Sequence, residues 1–257
     1  MKFLEWTYVT IEQPKAWSLV HILVLLLVFM GVLIAIKVAK KVNDKQGNLI
    51  VFSTGVFLIA IETYKQFFYT FIYYEGTYGW EYFPYQFCSV PMFLAVLLPF
   101  LKEGKVKKAG YYFLATQGAA AGLGILFFPD AIFSGNLSML IHTSLWHGLQ
   151  GIIGIFIGVW QKFGSSHKEL YGGAIVCAVI FILALIFNIV GYHTLGPKGY
   201  KIHALQISPY YESTLYVFDD IIRYTNFTIG YISYYLTINL AGTIFWLGYK
   251  LSLRNQK

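Results

Sequence analysis

Cys88 sits between Gln86 and Ser89, and His142 and His147 lie five residues apart further along the chain. These are the side chains best suited to do chemistry. A thiol becomes a nucleophile when it loses its proton, and an imidazole is the group that takes a proton near neutral pH. A thiolate and an imidazole together are the minimum for acyl transfer through a thioester. A second group, Glu62, Lys65 and Gln66, has the i, i+3, i+4 spacing that puts side chains on one helical stripe. Each group lies in an apolar run where Leu, Ile or Phe would be the ordinary occupant.

The elements that must position them follow from composition. The chain has 257 residues, is 57% hydrophobic and only 12% charged, with a mean hydropathy of +0.59. Soluble domains carry about a quarter charged residues, so these charges are too few to cover a soluble surface. The sequence reads as an all-α polytopic membrane protein, with one helical-bundle domain over residues 1–257. Its 21 Tyr and 22 Phe suit interfacial aromatic belts. The net charge of +7 lies in short loops between apolar runs, which argues against nucleic acid and for membrane lipid as partner. Two cysteines, Cys88 and Cys177, fall toward opposite faces and are read as unpaired. No CxxC or HExxH spacing marks a metal, and no cofactor is implied. Glu5, Glu12 and Pro14 precede the first apolar run, so the N-terminus does not read as a cleavable signal peptide.

Seven spans are predicted, over about 17–36, 49–73, 85–101, 111–128, 137–160, 170–192 and 229–251. A polar segment, 194–226, separates the last two, and its stretch 213–224 has the spacing of a surface helix. The loops after spans one, three and five, with the C-terminal tail, hold thirteen Lys and Arg: Lys37, Lys40, Lys41, Lys45, Lys102, Lys105, Lys107, Lys108, Lys162, Lys168, Lys250, Arg254 and Lys257. The opposite side holds five: Lys2, Lys15, Lys198, Lys201 and Arg223. The positive-inside rule then puts the N-terminus outside, the C-terminus inside and segment 194–226 on the extracytoplasmic side.

With that orientation Cys88 falls about one turn into the outer end of span three, and His142 and His147 fall in the outer part of span five. Glu62 lies near mid-membrane, below Gln66 and Tyr69. Asn188 lies near the outer end of span six. An ionisable group in lipid faces the bundle interior and finds a partner. For Glu62 that partner can simply be Lys65, and a buried histidine can simply be hydrogen-bonded. His142 and His147 are about 140° apart around a helix, so one of them at most is a central base. Cys177, among Ala and Val, reads as packing, and His21 as a packing or interfacial residue. His167, His193 and His203 lie in loops. Asp219 and Asp220 read as a solvated acidic turn.

Several of these residues match a known pattern. Pro84, Gln86 and Cys88 at a helix start, Glu62 and Gln66 followed by Phe68 and Tyr69, the Pro129–Asp130 turn, His142 with His147, and Asn188 before Gly191 occur in that order. In this the sequence resembles the YwaF family of bacterial integral membrane proteins, which is grouped with the eukaryotic transmembrane protein 164 lipid acyltransferases. Lys65 inside the Glu62–Gln66 motif departs from the pattern, and the family's Asn-Tyr pair is met loosely near Tyr200. The resemblance implies a bacterial plasma-membrane location, a seven-helix bundle and chemistry on acyl chains, with the residue matching Cys88 as nucleophile and a histidine as base.

The leading expectation is a lipid acyltransferase or lipid hydrolase. Cys88 attacks, His147 takes the proton, His142 binds a head group or orients the base, and Glu62 holds an imidazole. Gln66, Gln86, Gln117 and Asn188 are the candidate substrate-binding amides. The same polar cluster also fits a small-solute transporter or ligand-binding protein centred on Glu62 and Lys65. The many aromatics fit an accessory subunit of a membrane complex.

Overall fold

A computed structural model describes residues 2–254; Lys257, counted above with the basic tail, lies outside them. The regular structure of the described residues is all helical, apart from one isolated antiparallel bridge. In chain order the helices are α1 (Lys2–Trp6), α2 (Leu19–Ala39), α3 (Asp44–Phe68), α4 (Val90–Leu97), α5 (Lys105–Phe113), α6 (Ala119–Ile125), α7 (Pro129–Ile132), α8 (Leu137–Trp160), α9 (Lys168–Thr194), α10 (Tyr216–Tyr224) and α11 (Phe227–Arg254). Four helical stretches are long and apolar enough to cross a membrane: Leu19–Ala39, Asp44–Tyr73, Leu137–Trp160 and Lys168–Thr194. Helix α2 leaves Leu26, Leu27, Phe29, Met30 and Ile34 exposed, as a lipid-facing rod does.

Side-chain caps start three of the long rods. Ser18 accepts from the His21 amide, Asn43 and Gln46 form a reciprocal capping box, and Asn136 accepts from the Met139 amide. Two rods carry a π turn. Helix α3 runs on through one at Tyr69–Tyr73, and α5 joins α6 through one at Leu114–Gly118. The basic residues Lys105, Lys107 and Lys108 therefore belong to the first turns of α5, not to a loop. Lys107 is buried there and pairs with Glu103 at 2.7 Å.

The 85–101 stretch departs from expectation. It contains only α4 and a short 3-10 turn, Leu98–Phe100. Pro91 stands in the first turn of α4 and Pro99 in the 3-10 turn, and a proline has no N–H to give a helix. Cys88 thus lies in irregular chain just before α4, not one turn inside a helix. Its backbone is held from outside. The Tyr85 carbonyl accepts from the Leu205 amide at 3.0 Å, and the Cys88 carbonyl accepts from Gln150 Nε2 at 2.6 Å.

Helix α8 is the centre of the packing. Gly148 faces Val28 of α2, Gly151 faces Leu123 of α6, Gly154 faces the Leu114 carbonyl and Ala119, and Gly158 faces the Tyr249 ring. Small residues let helix backbones come this close in lipid. A core of Phe87, Phe113, Phe181 and Tyr234 joins the chain before α4 to α5, α9 and α11. The Phe87 ring meets Phe113 at 5.7 Å and Phe181 at 6.2 Å between centroids.

Segment 199–215 folds back over one end of the bundle. Asn188 clamps it, donating to the Ala204 carbonyl at 3.0 Å and accepting from the Ala204 amide at 2.7 Å. Its own Ile202, Ala204, Leu205 and Ile207 are buried. The expected surface helix is α10. Its Asp219 is buried, not solvated; it accepts from the Ser213 amide and pairs with Arg223 at 2.8 Å. At the opposite end α8 finishes in a Schellman turn. The Lys162 amide donates to the Val159 carbonyl and the Phe163 amide to the Gly158 carbonyl. Lys162 holds φ at 52° there, in the left-handed region that glycine ordinarily fills; a non-glycine residue at such an angle costs about 1–2 kcal/mol.

A Cβ at Gly154 would stand 2.6 Å from both the Leu114 carbonyl oxygen and the Ala119 Cβ, and one at Gly124 meets nothing within 4 Å. Gly154→Ala is expected to destabilise the protein by about 1–3 kcal/mol, and Gly124→Ala to leave it unchanged or slightly more stable. Thermal melting of both variants in the same detergent checks this.

Candidate functional site

The π turn ending α3, the loop 74–84 and the start of α8 close over a buried polar group. Glu62 sits within α3 and is 3% exposed. Its Oε1 accepts from Lys65 Nζ at 2.8 Å and from Gln66 Nε2 at 2.6 Å. Its Oε2 has no hydrogen-bond partner and faces His142 Nε2 at 3.9 Å, too far for a hydrogen bond. Gln66 is fully engaged: Nε2 also donates to the Tyr82 carbonyl at 2.6 Å, and Oε1 accepts from the Tyr78 hydroxyl at 2.8 Å. Burial, with the Glu62 charge as a lesser cause, pushes the Tyr78 phenol up to about 12, so it remains a donor at neutral pH.

Helix α8 supplies the other wall. The His142 ring stacks on Trp146 at 5.4 Å and an interplanar angle of 18°. Lys65 Nζ stands 5.9 Å from the centroid of the Trp146 ring, opposite Glu62. Cys88 packs with Trp146, Leu149, Leu58 and Met92. The thiol and the Lys65 ammonium share Trp146 as a neighbour. Among the described residues neither histidine hydrogen-bonds to the sulfur. His147 is buried and its Nδ1 has no partner. The residues on either side of it along α8 reach the Cys88 segment, Trp146 toward the thiol and Gln150 toward the Cys88 carbonyl. Trp146 lies about 14 Å along α8 from its first residue, by the helical rise. The thiol is therefore level with the interior of α8 and not with its first turn.

The predicted site residues divide into two sets. Cys88, Glu62, Gln66 and His142 lie around one junction of α3, α8 and the chain before α4; His147 is buried on the same α8, and among the described residues no contact joins it to the thiol. The remaining amides are occupied elsewhere. Gln86 Nε2 donates to the His203 carbonyl at 3.0 Å, and Asn188 clamps segment 199–215. Gln117 Nε2 donates to Asn239 Oδ1 at 2.9 Å and its Oε1 accepts from the Thr116 hydroxyl. These three amides hold structure together and do not face the thiol. Trp146, Gln150 and Tyr78 were not legible as site residues, since a Trp, a Gln or a Tyr in an aromatic-rich membrane chain carries no motif. Lys65 was visible as a departure, and it is the cation of the site.

Among the described residues no group of three or more His, Cys, Asp or Glu gathers as a metal site. Both cysteines are free. His21 has both ring nitrogens engaged, Nδ1 accepting from the Trp17 amide and Nε2 at 2.9 Å from the Leu126 carbonyl.

A bundle of long apolar helices with its ionisable groups turned inward defines a polytopic helical membrane protein. Within that class a model of the TMEM164 family matches residues 16–196, and the chain belongs to that family. The matched stretch contains Glu62, Cys88, His142 and His147 and ends just after α9. No curated protein and no solved structure matches the chain.

Beside the site, His203 is partly buried in segment 199–215 and its Nε2 has no partner. Burial lowers its pKa from 6.5 to about 4. Above pH 6.5 the ring is neutral folded and unfolded, so it makes no difference to stability. As the pH falls from about 6.5 toward 4, the unfolded chain takes up a proton that the folded chain refuses, and stability falls. His203→Gln is expected to flatten the melting-temperature profile across that window, measured against the parent protein at matched ionic strength.

Proposed function

We propose that this protein is a membrane-embedded lipid acyltransferase or lipid hydrolase that works through a thioester on Cys88. The observation that carries the proposal is the setting of the thiol: it packs against Trp146, over which stands a half-buried cation, Lys65, itself paired with a carboxylate whose second oxygen has no partner. A thiol with an ammonium nearby has a countercharge at hand when its thiolate forms.

His147 takes the thiol proton. The sulfur then attacks the carbonyl carbon of an acyl ester, and the developing oxyanion is met by backbone amides at the start of α4. Ser89 leaves those amides without a side-chain cap, so they are free donors. The ester C–O bond breaks, the imidazolium returns its proton to the departing alkoxide, and the acyl group stays on sulfur. A second alcohol, or water, then attacks the thioester with His147 as base, releasing the acyl product and restoring the thiol. Glu62 faces His142, so it holds that imidazole and not the base. The pair orients the lipid head group near the loop 74–84.

Seven crossings serve this arrangement: the four long apolar stretches, α4 with its 3-10 turn, the α5–α6 rod, and α11. Helix α4 with its turn reaches only about 16 Å. The irregular chain around Cys88 completes that crossing, which is tolerable because protein surrounds it. The N-terminus lies outside, the Lys-rich end inside, and the membrane is a bacterial plasma membrane.

A second reading is favoured by one observation. Glu62 Oε2, His142 Nε2 and His147 Nδ1 are buried without partners, as the stations of a proton or solute path would be.

An activated acyl lipid probe that leaves its acyl group on the nucleophilic thiol discriminates between these readings. Labelling of the purified protein is expected to vanish in Cys88→Ala and to fall about 10²–10⁴-fold in rate in His147→Ala, the range of a lost general base. Undiminished labelling of Cys88→Ala would overturn the thioester mechanism. Solute uptake that needs Glu62 and tolerates Cys88→Ala would establish the second reading.

A further inference from the structure

The Lys-rich end of the bundle contains a cavity that the acyl-transfer site does not use. It has a volume of about 400 Å³ and lies where α2, α8 and α11 finish. That is within the range of small-molecule sites, about 300–1,000 Å³. Trp160, Phe163 and Tyr249 are among its walls, Ser252 adds a hydroxyl, and Lys40 and Lys162 bring the charge. No Asp or Glu lines it, and among the described residues neither lysine forms an ion pair. The Tyr249 ring lies on Gly158, and its hydroxyl donates to the Ala115 carbonyl at 2.8 Å, which fixes the aromatic wall.

The backbone gives the second, independent observation. Lys162 occupies the left-handed position of the Schellman turn, where glycine meets no penalty. A lysine in the last turn of a helix ordinarily answers the carbonyl dipole. It could do so from any neighbouring position without left-handed backbone. The chain instead holds a strained lysine at a position whose side chain lines the cavity, which Lys40 lines from another rod. Strain of this kind gathers where a side chain has a binding task.

We infer that this cavity binds the phosphate group of an anionic phospholipid, with Lys40 and Lys162 as its two cations and Ser252 as a hydroxyl donor. Basic pockets between helices at the Lys-rich face of a membrane protein suit such head groups. The site is at the C-terminal end of α8, about 12 Å beyond Gln150 by the helical rise, and does not rest on the acyl-transfer reading.

The test uses the full chain in uncharged detergent, with melting temperature read against dioctanoyl phosphatidic acid, dioctanoyl phosphatidylcholine and inorganic phosphate. Phosphatidic acid is expected to raise the melting temperature saturably, and phosphatidylcholine to have a smaller effect. Lys40→Gln and Lys162→Gly are each expected to weaken the phosphatidic acid affinity about fivefold, the share of one basic residue. Lys162→Gly, relieved of strain, is expected to melt higher than the parent without ligand, so its loss of affinity cannot come from misfolding. Lys37→Gln, which removes a charge of the same end outside the cavity, is expected to change nothing. A full shift with inorganic phosphate would assign the site to soluble phosphate, and a shift with lipid alone would assign it to the head group. Unchanged affinity in Lys40→Gln and Lys162→Gly, or an equal loss in Lys37→Gln, would overturn the proposal.

Discussion

The close approach of neighbouring rods to α8 is the constraint on which the rest of this structure depends. Lipid offers helices no hydrophobic incentive to associate, so contact has to come from fit and from polar groups. Gly148, Gly151, Gly154 and Gly158 strip side-chain bulk from α8, and α2, α6, the π turn after α5 and α11 close onto it. The remaining arc of the helix carries His142, Trp146 and Leu149 toward α3 and the chain before α4. His147 and Gln150 lie at the borders between these neighbours. Polar side chains in mid-membrane are tolerable on α8 because it is the most enclosed rod, and its packing glycines bring the enclosing rods near.

The buried charge is handled with the same economy of space. A lone carboxylate within a bundle would be costly, and Glu62 is answered within its own helix by Lys65 and Gln66. Gln66 then ties the group to Tyr82 and Tyr78, so the loop between α3 and α4 is fastened to the charge it covers. Only one oxygen of the carboxylate is left for α8. Glu62, Lys65 and Gln66 are therefore one unit, in which the lysine answers the charge of the acid one turn before it.

The long apolar rods were legible in the sequence because hydrophobic length is itself the signal, and the 137–160 span coincides with α8. Cys88, Glu62 and the two histidines were legible for the opposite reason, as reactive groups among Leu, Ile and Phe. The short α4 was not, since an apolar run interrupted by Pro91 and Pro99 still averages as a span. The roles of Gln86, Gln117 and Asn188 were also hidden. An amide in an apolar run looks the same whether it meets a substrate or a carbonyl of the chain. Here Asn188 meets Ala204, a partner that only the fold-back of segment 199–215 brings into reach. Lys162 was read as one positive charge in a loop, because a left-handed angle leaves no mark on composition.

The bond from Gln150 to the Cys88 carbonyl has a mechanical meaning. It rivets the segment bearing the thiol to the most tightly held rod of the bundle. A slide or rotation of α8 would carry Cys88, Trp146 and His147 as one piece and leave their mutual spacing intact. The sulfur is therefore a stationary anvil, and whatever meets it has to travel inward between the rods to arrive there.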